Sequence, residues 1–121
     1  MTPTIYHLAL RDDWRAAVEH DRPYRRSTLG QSLEDVGFIH CSFAGQVQTI
    51  ADLVYRGRRD VVLLAIDPSL LKAEVRVESP DGGDEMFPHI YGELPLHAVV
   101  RVTPVRLRAG RLAVASVLQD D

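Results

Sequence analysis

Three of the five histidines fall where strands are expected. His7, His40 and His89 each interrupt a short apolar or aromatic stretch: Ile5-Tyr6-His7-Leu8, Phe38-Ile39-His40-Cys41 and Met86 to Tyr91. A buried imidazole needs a partner for its N–H and exchanges protons near neutral pH, so three of them point to acid–base or ligand-binding chemistry. Strand alternation puts Ile5 with His7, Phe38 with His40 and Ser42, and Phe87 with His89 and Tyr91 on shared faces. If the three strands are neighbours, the imidazoles converge with Ser42 and Tyr91. The bland alternative is that each histidine bonds a backbone carbonyl inside the core. His20, in the last turn of a helix, and His97, in a polar connection, need no special account.

Three imidazoles could also hold a metal with an open fourth position. The chain has no His-x-His, no His-Glu-x-x-His and no second cysteine, and no metal is assigned. Cys41 points away from its neighbour His40, which argues against a Cys–His pair and makes it a small core hydrophobe. Glu78, Asp84 and Glu85 are the acidic candidates, flanking a Gly- and Asp-rich loop from Pro80 to Asp84 that can also serve as a lid. The arginines at 22, 25 and 26, and at 56, 58 and 59, read mainly as solvated surface. Arg25 and Arg26, however, precede the second histidine strand, where a guanidinium can clamp a phosphate. No Gly-rich phosphate loop of Rossmann or P-loop type is present.

These side chains need elements to position them. Trp14, Ala17 and Val18 at helical spacing predict a helix from about Asp12 to His20, and Leu33 to Val36 allow one helical turn before Gly37. Ser42 reads as the N-cap of a helix whose apolar face is Val47, Ile50, Ala51 and Val54, with Gly57 as its stop. Val61 to Ile66, apolar throughout, is the expected central strand. Glu74 to Glu78 alternates like a strand with one wet face, and Pro88 confines Met86 to Tyr91 to an edge or irregular position. Ala98 to Arg108 is the last long strand; taking Val100, Val102, Val105 and Leu107 as inward requires a bulge at Thr103-Pro104. Arg111 to Leu118 fits either a hairpin strand or a short helix.

At 121 residues the chain is expected to form a single domain, residues 1–121, with a C-terminal tail at 109–121. Its 45% hydrophobic and 26% charged content is ordinary globular usage. Fourteen basic against seventeen acidic residues give a net charge of −3, a poor match for a nucleic-acid backbone. No apolar run approaches the ~20 residues that cross a bilayer. With a lone cysteine and no signal pattern, a cytoplasmic protein is expected.

Ile5-Tyr6-His7-Leu8, Trp14, Gly37-Phe38-Ile39-His40-Cys41-Ser42, Gln46-Val47, Leu63-Leu64-Ala65-Ile66-Asp67-Pro68 and Phe87-Pro88-His89-Ile90-Tyr91-Gly92 together resemble the bacterial family called domain of unknown function 952. The resemblance covers about residues 4–103. Glu93, where that family has Pro, and Leu10-Arg11, where it has a capping Thr or Pro, depart from the pattern in turns only. No activity is established for the family, whose fold is similar to that of the ADP-ribosyltransferases, where split antiparallel sheets hold NAD in a cleft. The resemblance implies an α+β fold of small mixed or antiparallel split sheets with two main helices. It places His7 at the first-strand histidine that contacts the nicotinamide-side ribose and Ser42 or Tyr91 at the support for nicotinamide. It also places Glu85 or Glu78 at the carboxylate facing the reacting ribose, Glu85 being preferred. The expected function is therefore binding of NAD or a related nucleotide in a cleft lined by His7, His40 and His89. The alternatives are a non-catalytic module for a small metabolite and a structural domain with core histidines.

Overall fold

The computed structural model describes residues 3–114 and residue 118. Strand β1 (Ile5–Leu10) runs directly into helix α1 (Arg11–Glu19), and a single turn, α2 (Leu33–Val36), precedes the short strand β2 (Ile39–His40). Helix α3 (Val47–Val54) leads to β3 (Val61–Ile66), followed by β4 (Val75–Glu78), β5 (Phe87–Ile90), β6 (Val99–Pro104), β7 (Leu107–Arg108) and β8 (Arg111–Leu112). The strands form two three-stranded antiparallel sheets, ordered β1-β3-β6 and β2-β5-β4, and a β7-β8 hairpin. The chain is thus α+β with split antiparallel sheets. The hairpin resolves the start of the tail as strand; residues 115–117 and 119–121 lie outside the described residues.

Strands β1 and β3 of the first sheet are buried on both faces, as the unbroken apolar β3 requires. Ile5 and Ala9 of β1 and Val62, Leu64 and Ile66 of β3 face a core shared with Ala17 of α1 and with Ile39, Cys41 and Ile90 of the second sheet. Tyr6, Leu8, Val61, Leu63 and Ala65 face a second core closed by Val47 and Ala51 of α3 and by Leu112. Leu64 is fully buried, and truncating it to Ala should cost about 2–5 kcal/mol. The two sheets meet where Tyr6 and Ser42 exchange two backbone bonds of 2.8 Å each.

Several local expectations are corrected. Ser42 is committed to that bridge and does not cap a helix; a short 3-10 turn, Ala44–Gln46, intervenes before α3. Val100 and Val102 are exposed, not inward, and the register shift falls opposite Ala65/Ile66, at Val100, not at Thr103-Pro104. Val18 and Val77 are likewise exposed, so neither segment shows the clean amphipathic pattern its sequence suggested. Pro88 lies mid-strand in the central β5, not at an edge. The register explains why this is tolerated. Tyr91 N donates to Glu74 O, which makes Val77–Pro88 a pair without ladder bonds on the β4 side. The missing N–H therefore faces Cys41, just where β2 ends.

Ser32 and Asp35 cap α2 reciprocally, and Gly37 ends it at φ 96°, a left-handed conformation that glycine adopts freely. Leu10, at the departure from the family pattern, precedes α1 with no side-chain cap.

Candidate functional site

The second sheet turns Ile39, Cys41 and Ile90 to the core, so alternation sends His40 and His89 to its other face. They stand opposite each other. Because Cys41 N donates to Pro88 O at 3.0 Å, the His40–His89 pair is one without ladder bonds, where opposed side chains approach most closely. Nδ1 of His40 lies 3.2 Å from Nε2 of His89. Behind them, Nδ1 of His89 is 2.9 Å from Oε1 of Glu78, and the same oxygen accepts the Tyr91 hydroxyl. A carboxylate only accepts, so Nδ1 of His89 carries a proton, and in the neutral pair Nε2 accepts from Nδ1–H of His40.

Aromatic rings hold this row in place. Phe38 stacks on His89 at 4.0 Å and 15° and touches Tyr91 at 5.4 Å, while Phe87 packs against His40 at 5.1 Å. The guanidinium of Arg76 lies 4.3 Å over the Tyr91 ring. His89 is sealed at 1% exposure. Nε2 of His40 has no hydrogen-bond partner among the described residues, and no buried polar side-chain atom there is unpartnered, so this nitrogen reaches the surface.

Burial, and then the nearby charge of His89, lower the His40 pKa to about 4. The Tyr91 and His89 hydrogen bonds hold Glu78 below the usual carboxylate range, and the bond to Glu78 raises the Tyr91 phenol.

His7 does not join this row. It sits on the other side of the β2 backbone, with Nδ1 2.7 Å from the His40 carbonyl and Nε2 2.9 Å from the Tyr24 hydroxyl. The carbonyl only accepts, so Nδ1 carries the proton and Nε2 accepts from Tyr24. Burial lowers the His7 pKa to about 4, and both nitrogens are occupied. Ser42 lines a cavity of about 10 Å³ with His7, Ser27 and His40, room for about one water. Glu85 is exposed and meets Gln46 at 3.3 Å, away from the rings.

The structure therefore brings His40, His89 and Tyr91 together, adds Glu78, reaches His7 only through the backbone, and leaves Glu85 outside. Arg76 and Tyr24 escaped the sequence reading. Arg76 shares strand parity with Glu78 and was findable; Tyr24 lies in irregular chain that carries no period. Arg25, a candidate phosphate clamp, is neutralised by Glu34 and by Glu93, the residue that departs from the family pattern. Arg26 lies 3.8 Å from Asp13. Among the described residues, no group of three or more His, Cys, Asp or Glu is placed to hold a metal ion, and no helix is long and apolar enough to cross a membrane.

Fold and site together define a small α+β domain of two split antiparallel sheets, with a carboxylate-anchored histidine pair on the second. The chain belongs to the family described as Protein of unknown function (DUF952), whose model matches residues 8–102. It is similar to protein CC0527 from Caulobacter crescentus. The crystal structure of that protein shares 32% identity over 95% of this chain and 97% of that one, with a TM-score of 0.81. Its solution NMR structure shares 32% identity over 98% of each chain, with a TM-score of 0.78. No curated protein matches the chain.

Proposed function

We propose that the protein binds a small polar ligand at His40 and moves a proton to or from it. The observation that supports this is the open Nε2 of His40, at the end of a row in which every group behind it is hydrogen-bonded. A base oriented by a second group, itself held by a third, is the arrangement of general acid–base sites. With its pKa near 4, His40 is unprotonated at neutral pH and free to accept. As Nε2 takes a proton, Nδ1–H leans on Nε2 of His89 and the Glu78 carboxylate stabilises the charge formed.

A second reading takes the ligand to be NAD or a related nucleotide, in an ADP-ribosyltransferase-like domain. Two split antiparallel sheets joined at Tyr6–Ser42 favour it, although fold alone does not give function. In this reading the nicotinamide–ribose bond breaks with its electron pair leaving on nicotinamide, and water forms the new bond to the ribose carbon and gives up a proton to solvent, yielding ADP-ribose. Glu78, not Glu85, then stands among the rings to stabilise the positive ribose.

Amide NMR titration of the labelled protein with NAD, ADP-ribose and nicotinamide tests both. Saturable shifts at Phe38, His40, His89 and Tyr91 are expected. NAD consumption that disappears in Glu78→Gln supports the second reading; binding with no turnover removes it and leaves the first. If none of the three moves these residues at millimolar concentration, the nucleotide reading fails. The acid–base reading then rests on His40 reactivity, and protection of its Nε2 in the free protein would overturn it.

A further inference from the structure

A cavity of about 330 Å³ lies at the far end of β1 and β3, walled by Arg11, Arg59 and Arg106 over a floor of Val61, Val105 and Leu107. The arginines come from three segments: the first residue of α1, the turn before β3, and the residue after Val105. Sheet pairing gathers them, since Leu10 is opposite Val61 and Val105 N donates to Val61 O at 3.0 Å.

Their charges lack compensation. Arg59 and Arg106 have no carboxylate partner among the described residues, and Arg11 has exposed Asp12 at 3.9 Å, a contact worth little, and a weaker attraction to Asp60, the last of the influences on that carboxyl. The neighbouring acid, Asp60, is taken by both prongs of Arg58, at 2.9 and 2.8 Å. By contrast, Arg25, Arg76 and Arg111 each hold a carboxylate. Three guanidiniums facing one concavity repel one another until an anion enters, and a guanidinium matches phosphate oxygens two at a time. The volume lies at the small end of ligand sites.

We propose that this cavity binds a phosphorylated small molecule, the phosphate held by Arg11, Arg59 and Arg106 and the carbon skeleton resting on Val61, Val105 and Leu107. It is separate from the histidine row: its walls come from the ends of the β1-β3-β6 sheet and the residues after β6, whereas His40, His89 and Glu78 stand on the β2-β5-β4 sheet and none of them lines it. Failure here leaves the reading of His40 untouched.

The test is amide NMR titration with inorganic phosphate and with phenyl phosphate at fixed ionic strength. Saturable shifts at Val61, Val105 and Leu107 are expected, with phenyl phosphate binding several-fold more tightly because its ring covers the apolar floor. Arg59→Gln/Arg106→Gln should weaken binding about tenfold or more. Arg22→Gln/Lys72→Gln, which removes equal charge at residues that neither line the cavity nor share a carboxylate with its arginines, should change it less than twofold. If the first double variant misfolds, each single substitution should weaken binding about threefold. Unsaturable or scattered shifts, or equal losses in both double variants, would overturn the proposal.

Discussion

Nε2 of His89 faces Nδ1 of His40 at 3.2 Å, across a strand pair whose backbones do not bond at that point. With the Nδ1 proton of His89 directed at Glu78, a single proton lies between the rings, and a second can be added only at the outer nitrogen of His40. The row therefore has a direction: a fixed charge at Glu78, an enclosed ring at His89, an open ring at His40.

The carboxylate end is testable through Tyr91. Its phenol is raised chiefly by the Glu78 bond, so Glu78→Gln, which removes the negative charge, should move Tyr91 ionisation down toward the ordinary value of about 10. The Tyr91 Cζ chemical shift followed against pH reads this directly. An unmoved titration would mean that Glu78 and Tyr91 do not bond in solution.

Stability should fall with acid. His7 and His40 have folded pKa values near 4 against 6.5 unfolded, so the unfolded chain binds more protons between those limits. Their contribution is fully present above pH 6.5 and is lost as pH falls toward 4. Urea unfolding should show a slope of up to about 2.7 kcal/mol per pH unit in that window, about 1.4 for each group. In His7→Phe the slope should drop by about half.

His7 itself should matter for stability. His7→Phe strands the His40 carbonyl and the Tyr24 hydroxyl in the core, at about 1–3 kcal/mol each. A loss of about 2–6 kcal/mol by urea unfolding at pH 7 is expected, with Tyr24→Phe costing about half as much. A loss below about 0.5 kcal/mol would show that the buried bonds are not formed.

The same residues show how far sequence could reach. Six consecutive apolar residues, too few for a buried helix and ended by Asp67-Pro68, read as a doubly buried strand, and β3 is one. Parity within each strand was also legible: Phe38 does meet His89 and Tyr91, and Cys41 does turn inward. Pairing between strands was not. Nothing local says that His7 belongs to one sheet and His40 to the other, so convergence of three imidazoles was a fair inference that the β2 backbone interrupts.

The choice between Glu78 and Glu85 depends on the same unseen pairing, since the β4–β5 register aims Glu78 at His89 while Glu85 stays in the loop. Pro88 was misplaced because the rule against mid-sheet proline depends on which pairs carry ladder bonds, known only once the register is known.

Close approach of backbone beside the site gives a further prediction. A Cβ on Gly92 would sit 2.6 Å from Cβ of Ala73, with no left-handed φ involved, so the obstacle is space alone. Gly92→Ala should cost about 1–3 kcal/mol. Adding Ala73→Gly removes the opposing methyl and should restore most of that, less about 0.5–1 kcal/mol for the flexibility of the new glycine. If the double variant is no better than the single, the clash lies elsewhere.

Finally, the exposed nitrogen of His40 should announce itself chemically. Diethyl pyrocarbonate acylates unprotonated, accessible imidazole nitrogen. His7 has both nitrogens bonded and His89 is sealed under Phe38, so of these three only His40 should be modified. The pH dependence sharpens this: an imidazole of pKa about 6.5 is ~90% protonated at pH 5.5 and nearly inert. His40, with its pKa near 4, should keep reacting there. Mass spectrometry of the digested protein gives the site and extent. Modification of His89 as fast as His40 would mean that the row opens in solution, and an unreactive His40 would remove the open nitrogen on which the proposed acid–base role depends.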